Sequence, residues 1–249
     1  RGAETGQRMY LWVIAAATAY FIKGLCGFAN TLVFSSIMGF RANNIEITPV
    51  ELMLGYPSNL LMAWRERKSL DKKIWLPLAC FVIVGSIPGA FLLKNGNAAA
   101  IKALFGAVVI FAGVEMFFRE LGGKRRDATP VMLSLIGLAS GALCGLYGVG
   151  ALLAAYVGRT ARDTRAFRGN LCAVFVIENT FRLVLYGFTG IITLENFKTA
   201  LLLMPFMALG LGAGMLLGHK LDERRIKTVI TVMLVLSGVS LLVGSMGKI

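Results

Sequence analysis

Apolar residues along this chain fall into long runs separated by short polar stretches, and two of the runs are longer than one membrane crossing requires. The first extends from Met9 to Phe40, about 32 residues, where about 20 suffice to cross a bilayer core. It is interrupted by Lys23, Gly24, Gly27 and Asn30, which predicts a break near its middle. Three ordinary runs follow, at 47–64, 74–93 and 98–118; the first carries Pro57-Ser58-Asn59, a predicted kink flanked by polar groups. After a polar linker at 119–129, a second overlong run occupies 130–158, broken by Gly141, Gly145, Gly148 and Gly150. Runs at 169–192, 199–218 and 226–243 complete the chain.

The two halves therefore repeat one order, with 1–118 and 130–249 as the repeats. The word Leu25-Cys26-Gly27 recurs 118 residues later as Leu143-Cys144-Gly145. Asn59 meets Asn179 at an offset of 120. Gly85, Gly89, Leu92, Lys102, Gly113 and Val114 recur 125 residues on as Gly210, Gly214, Leu217, Lys227, Gly238 and Val239. A glycine-broken apolar segment in the same place of both halves is the pattern of discontinuous helices that expose backbone groups to a ligand.

Charge then decides between two topologies. Of 26 Lys and Arg, seventeen lie in four short stretches, 65–73, 119–126, 159–168 and 220–227, and short basic loops belong on the cytoplasmic side. The stretches at 119 and 159 flank one apolar segment, so a simple crossing would put one of them outside. The conflict disappears if 130–158 enters and leaves on one face, as two half-helices turning near Leu143-Cys144-Gly145. By the repeat, 9–40 does the same from the opposite face. The expected fold is thus an all-α polytopic membrane protein with two inverted-topology repeats, each a re-entrant hairpin plus three transmembrane helices; eight ordinary spans are the alternative. A hydrophobic fraction of 57% and a mean hydropathy of +0.72 exclude a soluble domain. The net charge of +13 then reads as topology and not as a nucleic-acid surface. The first apolar run is too long for a signal peptide, and a chain opening on Arg is expected to lack its first residues.

Tips of opposed hairpins would meet near the membrane midplane with half-helix N-termini facing each other, which suits an anion. Candidate substrate-binding residues at the tips are Gly27, Phe28, Asn30, Thr31, Gly145, Tyr147 and Gly148, followed by Ser58, Asn59 and Asn179 on the next helices. Each polar member also has an interhelical hydrogen bond as its ordinary role. Three charges lie well inside apolar runs: Lys23, Glu178 and Arg182. Each costs about 2.5–3.5 kcal/mol at a helix centre on insertion scales, so they are expected to face a cavity or one another. Glu178 and Arg182 stand one helical turn apart and can pair. Lys23 or Arg182 would neutralise an anion, and Glu178 would restrain the arginine or carry a coupling proton. Cys26, Cys80, Cys144 and Cys172 sit in apolar runs without metal-ligand spacing and read as packing residues, so neither metal nor cofactor is expected. No nucleophile or metalloprotease motif is present and the single histidine, His219, lies beside a basic loop, so the chain is not expected to be an enzyme. Cation transport is set aside because no acidic residue falls at the tips.

These features resemble the TauE/SafE family of sulfite exporters and related anion permeases. The resemblance rests on Gly24-Leu25-Cys26-Gly27-Phe28-Ala29-Asn30 and Ala142-Leu143-Cys144-Gly145-Leu146-Tyr147-Gly148-Val149-Gly150, each followed by a span bearing Asn59 or Asn179. It also rests on the basic turn after Trp64 and on the Gly85–Ala90 and Gly210–Met215 segments. It implies a secondary transporter of the bacterial inner membrane that exports sulfite, a sulfonate such as sulfoacetate, or another small sulfur-containing anion. An anion channel, or an importer of a different small organic anion, is the alternative. The expected partners are the anion and the lipid bilayer, with a homodimer as the candidate assembly.

Overall fold

A computed structural model describes residues 2–38, 44–95, 130–147 and 150–222, together with Ile110 and isolated positions beyond 222. The linker expected at 119–129 lies outside the described residues, as do the helices expected at 98–118 and 226–243 apart from those isolated positions. Among the described residues the chain is all-helical. The first half gives α1 (Gly2–Cys26), α2 (Asn30–Met38), α3 (Asn44–Arg65) and α4 (Lys72–Asn95), with a 3-10 turn at Arg67–Ser69. The second half gives α5 (Pro130–Tyr147), α6 (Ala151–Thr160), α7 (Thr164–Phe188) and α8 (Leu194–Lys220).

Both overlong runs are broken, as their glycines predict. After α1 the chain turns at Gly27, with φ of 92°, and Ala29, with φ of 72°, two left-handed residues within three positions. Gly27 N–H closes the last turn on Lys23 O at 2.7 Å, and Val33 N–H opens α2 on Ala29 O at 3.1 Å. In the second half, α5 continues as helix through Leu143-Cys144-Gly145 to Tyr147, so the turn expected at those residues does not form there. Helix α6 starts from Gly150, whose carbonyl accepts Ala154 N–H at 2.9 Å. The arms are also unequal, against the two half-helices of about 14 residues expected. Helix α5 has 18 residues and rises about 27 Å, whereas α6, with 10, rises about 15 Å. Helix α3 runs from Asn44 to Arg65 with Pro49 and Pro57 inside it.

The glycines of the third run in each half serve helix packing. A Cβ on Gly85 would stand 2.2 Å from Leu138 O, and one on Gly89 would stand 2.3 Å from Ala142 O. In the other pair, Gly210 faces Ala17 O at 2.3 Å and Gly214 faces Phe21 O at 2.1 Å. Both are small-xxx-small seams, the device that lets helices approach where lipid supplies no hydrophobic drive. Since the obstacles are backbone carbonyls, no rotamer change relieves them. Gly85→Val is therefore expected to destabilise by about 1–3 kcal/mol through overpacking, read as a lower Tm in detergent. Contacts advance in step along each seam, so α1 runs parallel to α8 and α4 parallel to α5. Helix α3 instead runs antiparallel to α7, with Gly55 beside Asn179 and Glu66 beside Gly169.

The two short helices are internal. Residues Ala151–Val157 of α6 are all buried, in a core with Leu78, Val82, Leu143, Leu171 and Phe175. Helix α2 places Phe34 and Met38 in a second core with Tyr20, Leu54, Leu203 and Leu211. An apolar helix surrounded on all sides needs no amphipathic stripe. The outward surface is apolar instead: Phe188 is 87% exposed, Leu209 71% and Leu216 70%, while Lys23, Glu51, Glu178 and Arg182 are at most 2% exposed. Apolar outside and charged inside is the distribution of a protein solvated by lipid. Among the described residues, four helices contain stretches long and apolar enough to cross a membrane: Met9–Cys26, Lys72–Gly89, Thr164–Phe188 and Leu194–Gly218.

Candidate functional site

The break between α1 and α2 opens onto a small polar cavity. Its polar wall is made by Lys23 from the last turn of α1, Asn30 and Thr31 from the first turn of α2, and Glu51 and Asn59 from α3. From the other half come Gly150 at the start of α6, with Phe175, Asn179 and Arg182 of α7. The first residues of both short helices thus border one space. Their leading N–H groups have no acceptor within their own helix, since the first helical bonds are those of Val33 and Ala154. Gly55 keeps the space open: a methyl there would lie 3.5 Å from Glu51 Oε1, 3.6 Å from Tyr20 OH and 3.7 Å from Asn179 Nδ2.

Arg182 is fixed on every side. It donates through Nη1 to Cys144 O, in the last turn of α5. Its Nε stands 3.5 Å from Glu178 Oε1 in an ion pair one helical turn away. Asn179 Oδ1 lies 3.5 Å from Nη2, and the guanidinium carbon sits 5.7 Å from the centre of the Tyr186 ring. A single side chain therefore caps one broken helix and lends its charge to the cavity. Lys23 has an aromatic neighbour in the same relation, its Nζ 5.7 Å from the Tyr20 ring centre. Tyr20 in turn donates to Glu51 O at 3.3 Å, and Asn30 Nδ2 donates to Glu51 Oε1. Asn59 Oδ1 is buried without a hydrogen-bond partner.

Of the residues singled out from sequence, Lys23, Phe28, Asn30, Thr31, Asn59, Asn179 and Arg182 come together on the cavity. Ser58 does not: its hydroxyl donates to Gly55 O at 2.7 Å within α3. Gly27 faces away, toward Arg168, whose Cγ would lie 2.7 Å from an added Cβ. Glu178 reaches the site only through Arg182. Gly145 and Tyr147 end α5, three residues before the position that borders the cavity, Gly150; Gly148 lies outside the described residues. The sequence reading missed Glu51. No acidic residue was expected at a tip, yet Glu51 stands against Asn30 at the start of α2. It also missed Arg168, assigned to a basic loop but buried in the second turn of α7, where Nη2 donates to Leu25 O at the end of α1. The two broken helices are thus capped alike, α1 by Arg168 and α5 by Arg182.

A helical membrane protein with several spans and a buried, charged cavity at interrupted helices belongs to the transporter class. The chain is a member of the sulfite exporter TauE/SafE family, whose model, described as "Sulfite exporter TauE/SafE", matches residues 12–241. Comparison with curated proteins gives no match, and comparison with solved structures gives none.

Proposed function

We propose that this protein exports a small sulfur-containing anion, sulfite or a sulfonate such as sulfoacetate, across the bacterial inner membrane through the cavity at the two breaks. The observation that carries the reading is the convergence of Lys23 and Arg182 with the starts of α2 and α6 on one cavity. Two cations supply Coulomb attraction, and helix N-termini supply N–H groups and the positive end of the dipole. A negative cell interior drives each exported charge outward by about 2.3 kcal/mol per 100 mV.

An inverted repeat accounts for the convergence. Helices α1 and α5 occupy equivalent places and break at positions 121 residues apart, Cys26 and Tyr147. Helix α1 parallels α8, α5 parallels α4, and α3 opposes α7. With the short turns at 66–71 and 189–193 reversing the chain, α1 and α5 point in opposite directions. Two hairpins entering from opposite faces then deliver their tips to one place.

The test is thermal unfolding of the purified protein in detergent against sulfite, sulfoacetate, sulfate, thiosulfate and simple carboxylates. Sulfite or sulfoacetate at about 100 times its Kd should stabilise by about 2.7 kcal/mol, with no shift from acetate. Stabilisation by carboxylates alone would refute the substrate class.

A further inference from the structure

The cavity contains a carboxylate that an anion site should not tolerate. Among the described residues, four ionisable groups of opposite sign meet there: Lys23 and Arg182 as cations, Glu51 on the wall, and Glu178 paired with Arg182 at 3.5 Å. With all four ionised the charges cancel, and an entering anion meets only dipoles. Buried net charge is costly in a low-dielectric interior, so an anion without a compensating charge would be held weakly. One proton on a carboxylate changes this, leaving the site with a single net positive charge. Of the two carboxylates, Glu178 is committed to Arg182 and does not border the cavity, whereas Glu51 does.

The surroundings of Glu51 suit a group that alternates between states. From α2, Asn30 Nδ2 donates to Oε1, and a neutral carboxyl keeps that bond while carrying its proton on the other oxygen. Thr31 stands beside it on the same turn. From α1 it faces Lys23 and Tyr20; from α7 it faces Arg182, with Glu178 and Tyr186 behind; within α3 its neighbours Gly55 and Asn59 do not titrate. We propose that Glu51 is the carrier of a co-transported proton: anion and proton enter the cavity together and leave on the same side, so that a dianion such as sulfoacetate still carries one net negative charge outward. This rests on the anion-transport reading above, and it moves the coupling role from Glu178, where the sequence pointed, to Glu51.

The experiment is sulfoacetate binding to the full-length purified chain, measured by calorimetry from about pH 6 to about pH 8, where both acidic groups of sulfoacetate stay ionised. The wild-type Kd should rise with pH toward a limit of about tenfold per pH unit, the signature of one linked proton. Glu51→Gln, permanently neutral, should bind across the range with no such slope, and Glu51→Asp should restore it. A wild-type Kd independent of pH would overturn the proposal while leaving anion binding intact. A slope that survives in Glu51→Gln, or vanishes only in Glu178→Gln, would overturn it by placing the proton elsewhere. Absence of binding by both sulfoacetate and sulfite at every pH would overturn the transport reading and this one with it.

Discussion

Removing the charge of Arg182 should weaken anion binding about 100-fold while leaving a folded protein, provided that Glu178 is neutralised in the same variant. Arg182→Ala alone would leave Glu178 and Cys144 O buried without their partner. Breaking a buried pair from one side costs about 3–5 kcal/mol, so loss of transport would then be inseparable from loss of structure. Arg182→Gln combined with Glu178→Gln removes both charges together and avoids the uncompensated carboxylate. Hydrogen bonds to a charged group are worth about 1.5–3 kcal/mol each, so the double variant should bind sulfoacetate about 100-fold more weakly, with a Tm close to wild type. Arg182→Lys supplies the control on geometry. A lysine keeps the charge but lacks the fork that reaches Cys144 O, Glu178 and Asn179 at once. It should recover only part of the affinity. Unchanged flux in proteoliposomes bearing the Gln/Gln variant would remove Arg182 from the site.

How far the sequence could lead to this site depends on what each residue does. Hydropathy finds Lys23, Glu178 and Arg182 because a charge deep in an apolar run has few tolerable surroundings, and all three are buried. Glu51 escapes the same test because it lies four residues into its run, just after Pro49, where a carboxylate reads as interfacial. Only the packing of α2 against α3 brings it to the cavity. The glycines divide in the same way. Gly85, Gly89, Gly210 and Gly214 keep one offset in sequence because they fill one role in two equivalent seams. The word Leu-Cys-Gly, repeated at 118, instead misplaces the second break. In the structure α1 ends at Cys26 and α5 at Tyr147, 121 residues apart. A glycine inside a lipid-solvated helix is as often a contact for a neighbour as a break, and Gly141, with a Cβ position 2.2 Å from Val82 O, is such a contact. Arg168 shows the limit of the charge rule, which counts a basic residue near a helix end without saying whether it turns outward to water or inward to a carbonyl.

Gly27 and Arg168 should behave as one structural unit, and a double-mutant cycle is the measure of it. Gly27 holds a φ of 92°, and its α-carbon lies so close to Arg168 that an added Cβ would meet Cγ at 2.7 Å. Arg168 uses that proximity to reach Leu25 O in the last turn of α1. A cation in the second turn of α7 gains nothing from that helix's dipole, so its stabilising role lies in the cap. Gly27→Ala should cost about 1–2 kcal/mol for the left-handed backbone alone, plus the displacement of Arg168. Arg168→Met should cost about 1.5–3 kcal/mol for a lost charged hydrogen bond. Once either change has pulled the cap away, the other has less to remove. The double variant should therefore be more stable than the two losses added together, by on the order of 1 kcal/mol. The same tip holds Lys23 and Asn30 at the cavity wall, so each single variant should also slow sulfoacetate flux without changing its dependence on pH. Strict additivity in unfolding would mean that Arg168 and Gly27 act separately, and that the end of α1 is held by something other than this cap.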